Sequence, residues 1–457
     1  MNRIIAATLI GCAALAPLAA GAEPLSLDQA IERALHADPR VKEREHLVEA
    51  ARALLQEAQG SDDLILSANT FLGLAPRTEG GFYRGGNESC DPPATSCTPR
   101  GDNYEVFPVT IWSSLQFSLI KPLYTFGKIE NYSEAASNNI AVKQGDVALQ
   151  RGKTTLDVAK SYYGYLAARE TRKLMDDVLG RVDAATGLVR EWLDDGGRND
   201  VKQSDLYALE AARGLVVGYA AKAEGLEKIA HDGLRVLTDW PAETPLELAD
   251  SRIAPLAPPA AELTALQVQA LKQRPEMAQV EAGLKARQAL VQASEADARP
   301  NVYAGIVGSV AYTPGRDQLD NPHVYDPFNH EGATPVIGLK WDYSLGVKPA
   351  RVAKAQAELD ATVQLAALAR KGIPFEVAES YHQVQSYHAM VGQLEASSRA
   401  ARRWMIASYV DFEAGLEDAE KILTALQAYV LAYSEYLQAV FEYNMQVMKL
   451  SVVTGER

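Results

Sequence analysis

The chain is one unit written twice. Residues 34–56 (ALHADPRVKEREHLVEAARALLQ) align without a gap on 270–292 (ALKQRPEMAQVEAGLKARQALVQ) at an offset of 236. Ala34/Ala270, Leu35/Leu271, Pro39/Pro275, Glu45/Glu281, Ala50/Ala286 and Leu54/Leu290 are identical. Further on the offset falls to 219, where Tyr124, Gly127, Val158, Ala159 and Tyr162 meet Tyr343, Gly346, Val377, Ala378 and Tyr381. A duplication this long confines the fold to architectures in which two equivalent blocks each supply half. The two offsets differ by 17, so the first copy holds the longer connection, in the region of Cys90 and Cys97. The boundaries read as a leader over 1–22, a first repeat over 23–240, a proline-rich linker over 241–261 and a second repeat over 262–457.

Each copy opens on a helical segment, 26–59 and 262–297, rich in Ala, Leu, Glu, Gln and Arg, with Ser26 and Asp28 placed to cap and charge the first start. The period then changes to two. Strands are predicted at about 63–76 and 104–120, and at about 301–313 and 335–345. Leu64, Leu66, Ala68, Leu72 and Leu74 share a face opposite Ser67 and Asn69, and Val109, Ile111, Leu115, Phe117 and Leu119 oppose Ser114, Gln116 and Ser118. In the second copy Val302, Ala304, Ile306, Val310 and Tyr312 form one face. There Ile337, Leu339, Trp341, Tyr343 and Leu345 are set against Lys340, Asp342 and Ser344. Two environments suit such pairs: an ordinary sheet on a core with its polar face in water, or a transmembrane barrel with lipid outside and water inside. The strand length of about ten residues is a spanning length. Phe71, Trp112, Tyr312, Trp341 and Tyr343 stand where an interfacial girdle needs aromatics. Four strands cannot close a barrel, so insertion requires several chains to pool them.

Long helices follow. No proline occurs between Leu123 and Trp240, nor after Phe375. Ile422, Leu426, Tyr429, Tyr433, Tyr436, Val440, Tyr443, Val447 and Leu450 alternate spacings of four and three, a heptad seam roughly 42 Å long at about 1.5 Å per residue. Four tyrosines predict a seam that is only partly dry. Asp194-Asp195-Gly196-Gly197 and Glu413-Ala414-Gly415 break these segments once each, giving two helical hairpins with tips remote from the strands.

The first 22 residues hold Arg3, an apolar run from Ile4 to Ala16 and then Ala20-Gly21-Ala22, the pattern of an export signal. Leu9-Ile10-Gly11-Cys12 is a rival lipoprotein box that would leave an acylated Cys12. After it, no stretch is long and apolar enough to span a bilayer as a helix. Cys90 and Cys97 lie in a Pro/Gly/Asn-rich segment, where an oxidising compartment favours a disulfide-closed loop. The net charge of −14 argues against nucleic acid as a partner.

No P-loop, H-E-x-x-H, G-x-S-x-G or dinucleotide glycine fingerprint is present, so neither an enzyme nor a cofactor is expected. His382 and His388 are six apart and do not share a helical face. His323 and His330, with Asp317, Asp320 and Asp326, form either a solvated polar loop or a metal chelator. The acidic tips, Asp194, Asp195, Asp200 and Asp205 with Glu417, Asp418 and Glu420, read as solvated helix ends or, in a multimeric duct, as acidic rings that favour cations.

Three sets of residues carry a family resemblance. Leu25-Ser26-Leu27-Asp28-Gln29-Ala30 with Ala37-Asp38-Pro39 is similar to an opening "L-x-x-A…A-L-x-x-N-P". Lys121-Pro122-Leu123-Tyr124-Thr125-Phe126-Gly127-Lys128 is similar to a strand-to-helix junction written "P-L-[FY]-x-x-G-[KR]". Phe412-Glu413-Ala414-Gly415-Leu416, Ile422-Leu423-Thr424-Ala425 and the closing Val453-Thr454-Gly455 complete the series. Together, in order and duplicated, they resemble the TolC-type outer membrane efflux proteins over essentially the whole mature chain. The resemblance implies a mainly α fold with a transmembrane β part, long hairpins forming a periplasmic α-barrel, and four strands per chain in a trimeric 12-stranded barrel. It also implies a homotrimer in outer membrane lipid, a periplasmic adaptor docked at the tips and, through it, an inner-membrane pump. Asp194, Asp195, Gly196, Gly197, Asp200, Asp205, Gly415, Glu417, Asp418 and Glu420 then fall at the docking tips, and Ser114, Gln116, Lys340 and Asp342 in the lumen. The chain departs from the pattern at Lys421-Ile422-Leu423, where Asp-Val-Leu is usual, by two extra residues between Gly197 and Ser204-Asp205-Leu206, and at Pro374, which is expected to interrupt a long helix. The competing reading is a soluble periplasmic coiled-coil scaffold without a barrel.

Overall fold

A computed structural model describes residues 24–76, 108–195, 201–316 and 325–456. Cys12, Cys90, Cys97, Gly196, Gly197 and Asp200 lie outside the described residues. The elements are α1 (Leu27–Ala37), α2 (Pro39–Gly60), β1 (Ile65–Pro76), β2 (Val109–Tyr124), α3 (Lys128–Asp195), α4 (Gln203–Thr238), α5 (Leu263–Gln273), α6 (Pro275–Ala296), β3 (Asn301–Tyr312), β4 (His330–Lys340), α7 (Val347–Glu413) and α8 (Ala419–Val453). The duplication is plain in this order. α1, α2 and β1 recur as α5, α6 and β3 with the same lengths and the offset of 236, and α3 restarts as α7 at the offset of 219.

Local chemistry sets the boundaries. Ser26 caps α1 through a capping box with Gln29, its hydroxyl accepting from the Gln29 amide at 3.3 Å and the Gln29 side chain accepting from the Ser26 amide at 2.9 Å. Prolines 39 and 275 force extended backbone on the residues before them, Asp38 (ψ 116°) and Arg274 (ψ 133°), and so split each leading helix in two. Pro374 does not interrupt its helix: α7 runs through it, and the Gln267 side-chain amide donates to the Pro374 carbonyl at 2.9 Å. Among the described residues, no helix is long and apolar enough to cross a membrane.

The chain divides into two compact units. The first comprises residues 1–47, 143–279 and 367–457 and holds both large clusters of buried apolar side chains. One cluster joins α1, α3, α5, α7 and α8 around Tyr162, Leu166, Val384 and Tyr443. The other joins the ends of α3, α4, α7 and α8 around Val182, Leu209, Met405 and Ile422. The heptad seam of α8 runs through both: Ile422, Leu426, Tyr429, Val440, Tyr443 and Leu450 are buried, while Tyr433 and Tyr436 are half-buried and stack at 6.0 Å. α3 and α4 run antiparallel, laced by Arg172–Glu227, Arg213–Asp183 and Arg190–Glu210 contacts of 2.6–2.7 Å.

The second unit, residues 48–142 and 280–366, is built differently. Its buried helical residues are mostly alanines, with Ala282, Ala286, Ala289, Ala293 and Ala296 on one face of α6, and Val48 and Val291 besides. Its sheet is antiparallel in the order β1-β2-β3-β4, so among the described residues both outer strands carry an unpaired edge.

Candidate functional site

The strand register assigns every side chain to a face, because residues directly opposite in an antiparallel pair point the same way. Leu66↔Leu119, Ala68↔Phe117, Thr70↔Leu115 and Leu74↔Ile111 lie on one face with Leu119↔Ile306, Leu115↔Val310, Ala304↔Ile337 and Val302↔Leu339. The opposite face carries Ser67↔Ser118, Asn69↔Gln116, Gln116↔Ser309, Ser114↔Ala311, Val307↔Thr334 and Asn301↔Lys340. One face is therefore mainly hydrocarbon, interrupted by Ser113, Lys121 and Glu331, and the other mixes hydroxyl and amide groups with Ile65, Phe71, Trp112, Ile120 and Tyr303. Leu72 (81% exposed), Leu74 (69%) and Ile337 (81%) stand uncovered on the apolar face. Each leaves unrealised the roughly 1.5–3 kcal/mol that burying such a side chain provides.

β4 is displaced from its predicted span of about 335–345. It is His330–Lys340, because β3 supplies ladder partners from Ala311, opposite His330, back to Asn301, opposite Lys340. β3 starts only after Pro300, so among the described residues no strand partner pairs with residue 341 onward. Asp342 and the aromatics Trp341 and Tyr343 consequently lie beyond the strand, and Asp342 is set 3.6 Å from the Lys340 ammonium. β2 continues past its expected end to Tyr124, with an irregular register between Pro122 and Tyr124, where proline removes a ladder donor.

At the loop end of the sheet the stems of the β3–β4 connection fold over the polar face. Arg316 and Asp326 form an ion pair of 3.0 Å with both side chains almost fully buried. Arg316 also donates to the Pro76 carbonyl at 2.9 Å and lies 4.7 Å from the centre of the Phe328 ring, which meets Trp112 edge-on at 5.7 Å. His330 contacts Ser309 Oγ at 2.9 Å and Tyr325 Oη at 3.2 Å. Asp326 and His330 are thus engaged in packing the stem, while Asp317, Asp320 and His323 lie outside the described residues. Among the described residues no group of three or more His, Cys, Asp or Glu is arranged to hold a metal.

The hairpin ends belong to the first unit. α7 closes in a Schellman turn: the Leu416 amide donates to Asp411 O at 2.8 Å and the Gly415 amide to Phe412 O at 2.9 Å. Gly415 adopts φ 74°, which a Cβ would strain. Asp418 caps α8, accepting from the Lys421 amide at 3.1 Å, and Glu420 sits in that helix's first turn. Glu417 is 3.8 Å from the Lys421 ammonium. At the other hairpin the Asp205 carboxylate accepts from the Lys202 amide at 2.8 Å, again at a helix start. Asp194 and Asp195 differ. They are exposed at the C-terminal end of α3, where the helix dipole disfavours negative charge. Trp192 and Phe412 join the two hairpin ends, ring to ring, at 5.2 Å.

No protein-family model and no curated protein matches the chain. Solved structures do. The Campylobacter jejuni CmeC outer membrane channel aligns with a TM-score of 0.74 at 12% identity, over 94% of this chain and 85% of that one. The outer-membrane channel OprN aligns at 0.72 and 17% identity, over 94% and 89%. The open state of the Neisseria gonorrhoeae MtrE outer membrane channel aligns at 0.71 and 16% identity, over 94% and 88%. The chain has the fold of these outer-membrane channels.

Within this channel fold the structure gives the predicted site residues different surroundings. Ser114 and Gln116 share the polar sheet face, Lys340 ends it, and Asp342 is off it. Sequence reasoning missed the Arg316–Asp326 pair. Its only local signal was two opposite charges flanking a polar loop, a pattern that surface loops show routinely.

Proposed function

We propose that this protein is the outer-membrane exit duct of a tripartite efflux or type I secretion system, a homotrimer conducting passively between a periplasmic adaptor and the exterior. The observation that carries the reading is the sheet: one uncovered apolar face, one polar face and two unpaired edges. Edge strands of 11 and 12 residues are templates for pairing. In the order β1-β2-β3-β4 the two edges run antiparallel, so β4 of one copy meets β1 of the next in the same sense, and three copies close 12 strands. Closure puts the apolar face in lipid and Ser114, Gln116 and Lys340 on the water-filled side. A second exposed stripe supports association of copies. Leu215, Tyr219, Leu226, Ile229 and Val236 follow heptad spacing along α4 and are solvent-exposed in the single chain.

In this reading the hairpin ends, with Asp194, Asp195, Asp205, Gly415, Glu417, Asp418 and Glu420, meet the adaptor and form the acidic entrance. The decisive experiment is extraction and reconstitution. Detergent-solubilised protein is expected to have the mass of three chains and to give discrete ion conductance in planar bilayers. A monomer that stays soluble without detergent and does not conduct overturns the proposal.

A further inference from the structure

We infer that the strand-to-helix junction of the second unit binds the phosphate of an anionic phospholipid, with Arg299 and Arg351 as its ligands. The inference rests on the proposed membrane placement of the sheet and adds a chemically specific lipid site to it. The apolar sheet face ends in a row where Val302 lies opposite both Tyr124 and Leu339. Next to that row the Tyr124 ring meets Phe126 at 4.6 Å, and the Arg299 guanidinium lies 6.0 Å from the centre of the Phe126 ring. Trp341 is anchored beside it by a 3.1 Å hydrogen bond from its indole N–H to the Ala298 carbonyl.

Phe126 holds φ 55°, one of two non-glycine residues with positive φ among the described residues. An aromatic residue there carries about 1–2 kcal/mol of backbone strain. The fold therefore spends stability to place this ring between the apolar face and a cation.

The charge balance at the same spot is uneven. Lys128, Lys348 and Arg351 all converge on Asp297, a single carboxylate, with Arg351 at 3.6 Å and 63% exposed. The Lys348 ammonium also donates to the Asp297 carbonyl at 2.9 Å, which fixes that lysine in place. Arg299 has the Phe126 ring but no carboxylate partner among the described residues. Three cations thus share one acid and Arg299 adds a fourth cation beside them, next to an aromatic rim and the apolar sheet face. A phosphate with acyl chains attached satisfies all three features at once: guanidinium to phosphate, ring to glycerol backbone, apolar face to chain.

The test uses the full-length protein extracted in detergent and titrated with phosphatidylglycerol or phosphatidylethanolamine, with bound lipid read by native mass spectrometry. Wild type is expected to retain phosphatidylglycerol preferentially. The double variant Arg299→Gln/Arg351→Gln should bind it roughly thirtyfold more weakly, from about fivefold per cation near an anionic headgroup. Arg299→Lys/Arg351→Lys, which keeps the charge, should recover most of the loss. Equal retention of the two lipids by wild type overturns the inference without requiring any variant to fold, and so does an unchanged affinity in the glutamine variant. Displacement of the lipid by millimolar inorganic phosphate also overturns it, assigning the site to the free ion. Protein that inserts into and conducts across vesicles of phosphatidylethanolamine alone, yet shows no lipid preference, sinks this inference and leaves the duct standing. Failure to insert into vesicles of either composition removes both.

Discussion

At the helix junction of each repeat one guanidinium bridges two carboxylates, but the two copies place it at different positions. In the first, Arg40 reaches Asp38 at 2.8 Å and Asp157 at 2.9 Å. In the second, Arg274 stands at the position equivalent to Asp38 and pairs with Glu276 and Glu376, the equivalents of Arg40 and Asp157. The cluster is kept while its cation changes place. Asp38→Arg alone should therefore place two adjacent cations against Asp157 and lower the thermal midpoint, whereas Asp38→Arg with Arg40→Glu rebuilds the second copy's arrangement and should restore most of it. Burial pushes the Asp38 carboxyl upward, but hydrogen bonds from Arg40 and Thr154 outweigh this and hold it below the ordinary carboxylate range. A depressed carboxyl stabilises the fold above its ordinary range and loses that contribution as pH falls through its folded value. Asp38→Asn is expected to cost about 2 kcal/mol at pH 7. Its deficit against wild type should hold down to about pH 5 and close below about pH 4. Thermal melts across that range read both effects.

The strands show what a linear pattern can and cannot carry. Alternation assigned Leu66, Leu72, Ile111, Phe117, Ile306 and Leu339 to one face and Asn69, Ser114 and Gln116 to the other, and the register agrees residue by residue. Alternation has no way to mark where a strand stops, because that depends on the partner. β4 ends at Lys340 since β3 has no residue left to pair, although Trp341, Tyr343 and Leu345 continue the pattern in sequence. The Arg316–Asp326 pair was invisible for the same reason: Arg316 is oriented by the Pro76 carbonyl, 240 residues away. Two predictions belong at this scale. Arginine on the apolar face should cost by depth, about 2–4 kcal/mol for Leu72→Arg in mid-strand but only about 0–1 kcal/mol for Leu339→Arg near the rim. Refolding into vesicles under denaturant measures that gradient, and equal costs would mean that the face does not meet lipid. Gly305→Ala should block assembly more severely than either, since its Cβ would stand 2.2 Å from the Leu119 carbonyl oxygen and 3.0 Å from Ile120 Cα. Backbone atoms cannot yield as a side chain does, so β2 and β3 would have to separate.

The molecule carries a net charge of −14, and the tip carboxylates are not equivalent. Asp205 and Asp418 are occupied by backbone amides at helix starts, so their negative charge already serves the fold. Asp194 and Asp195 sit at a helix C-terminus, where each is unfavourable by about 0.3–1 kcal/mol. Helix stability therefore gives no reason for them, whereas the proposed duct entrance supplies one. Neutralising Asp194 and Asp195 to Asn should leave the thermal midpoint unchanged or slightly raised. In a potassium chloride gradient it should move the reversal potential toward zero, reporting reduced cation preference. Asp418→Ala should behave in the opposite way, losing about 1 kcal/mol of stability with the loss of its cap. Lys340→Glu, at the end of the polar sheet face, should increase cation preference. All these selectivity shifts should shrink in 1 M salt, where the screening length falls to about 3 Å. A reversal potential indifferent to Asp194 and Asp195 at low salt would place those carboxylates away from the ion path.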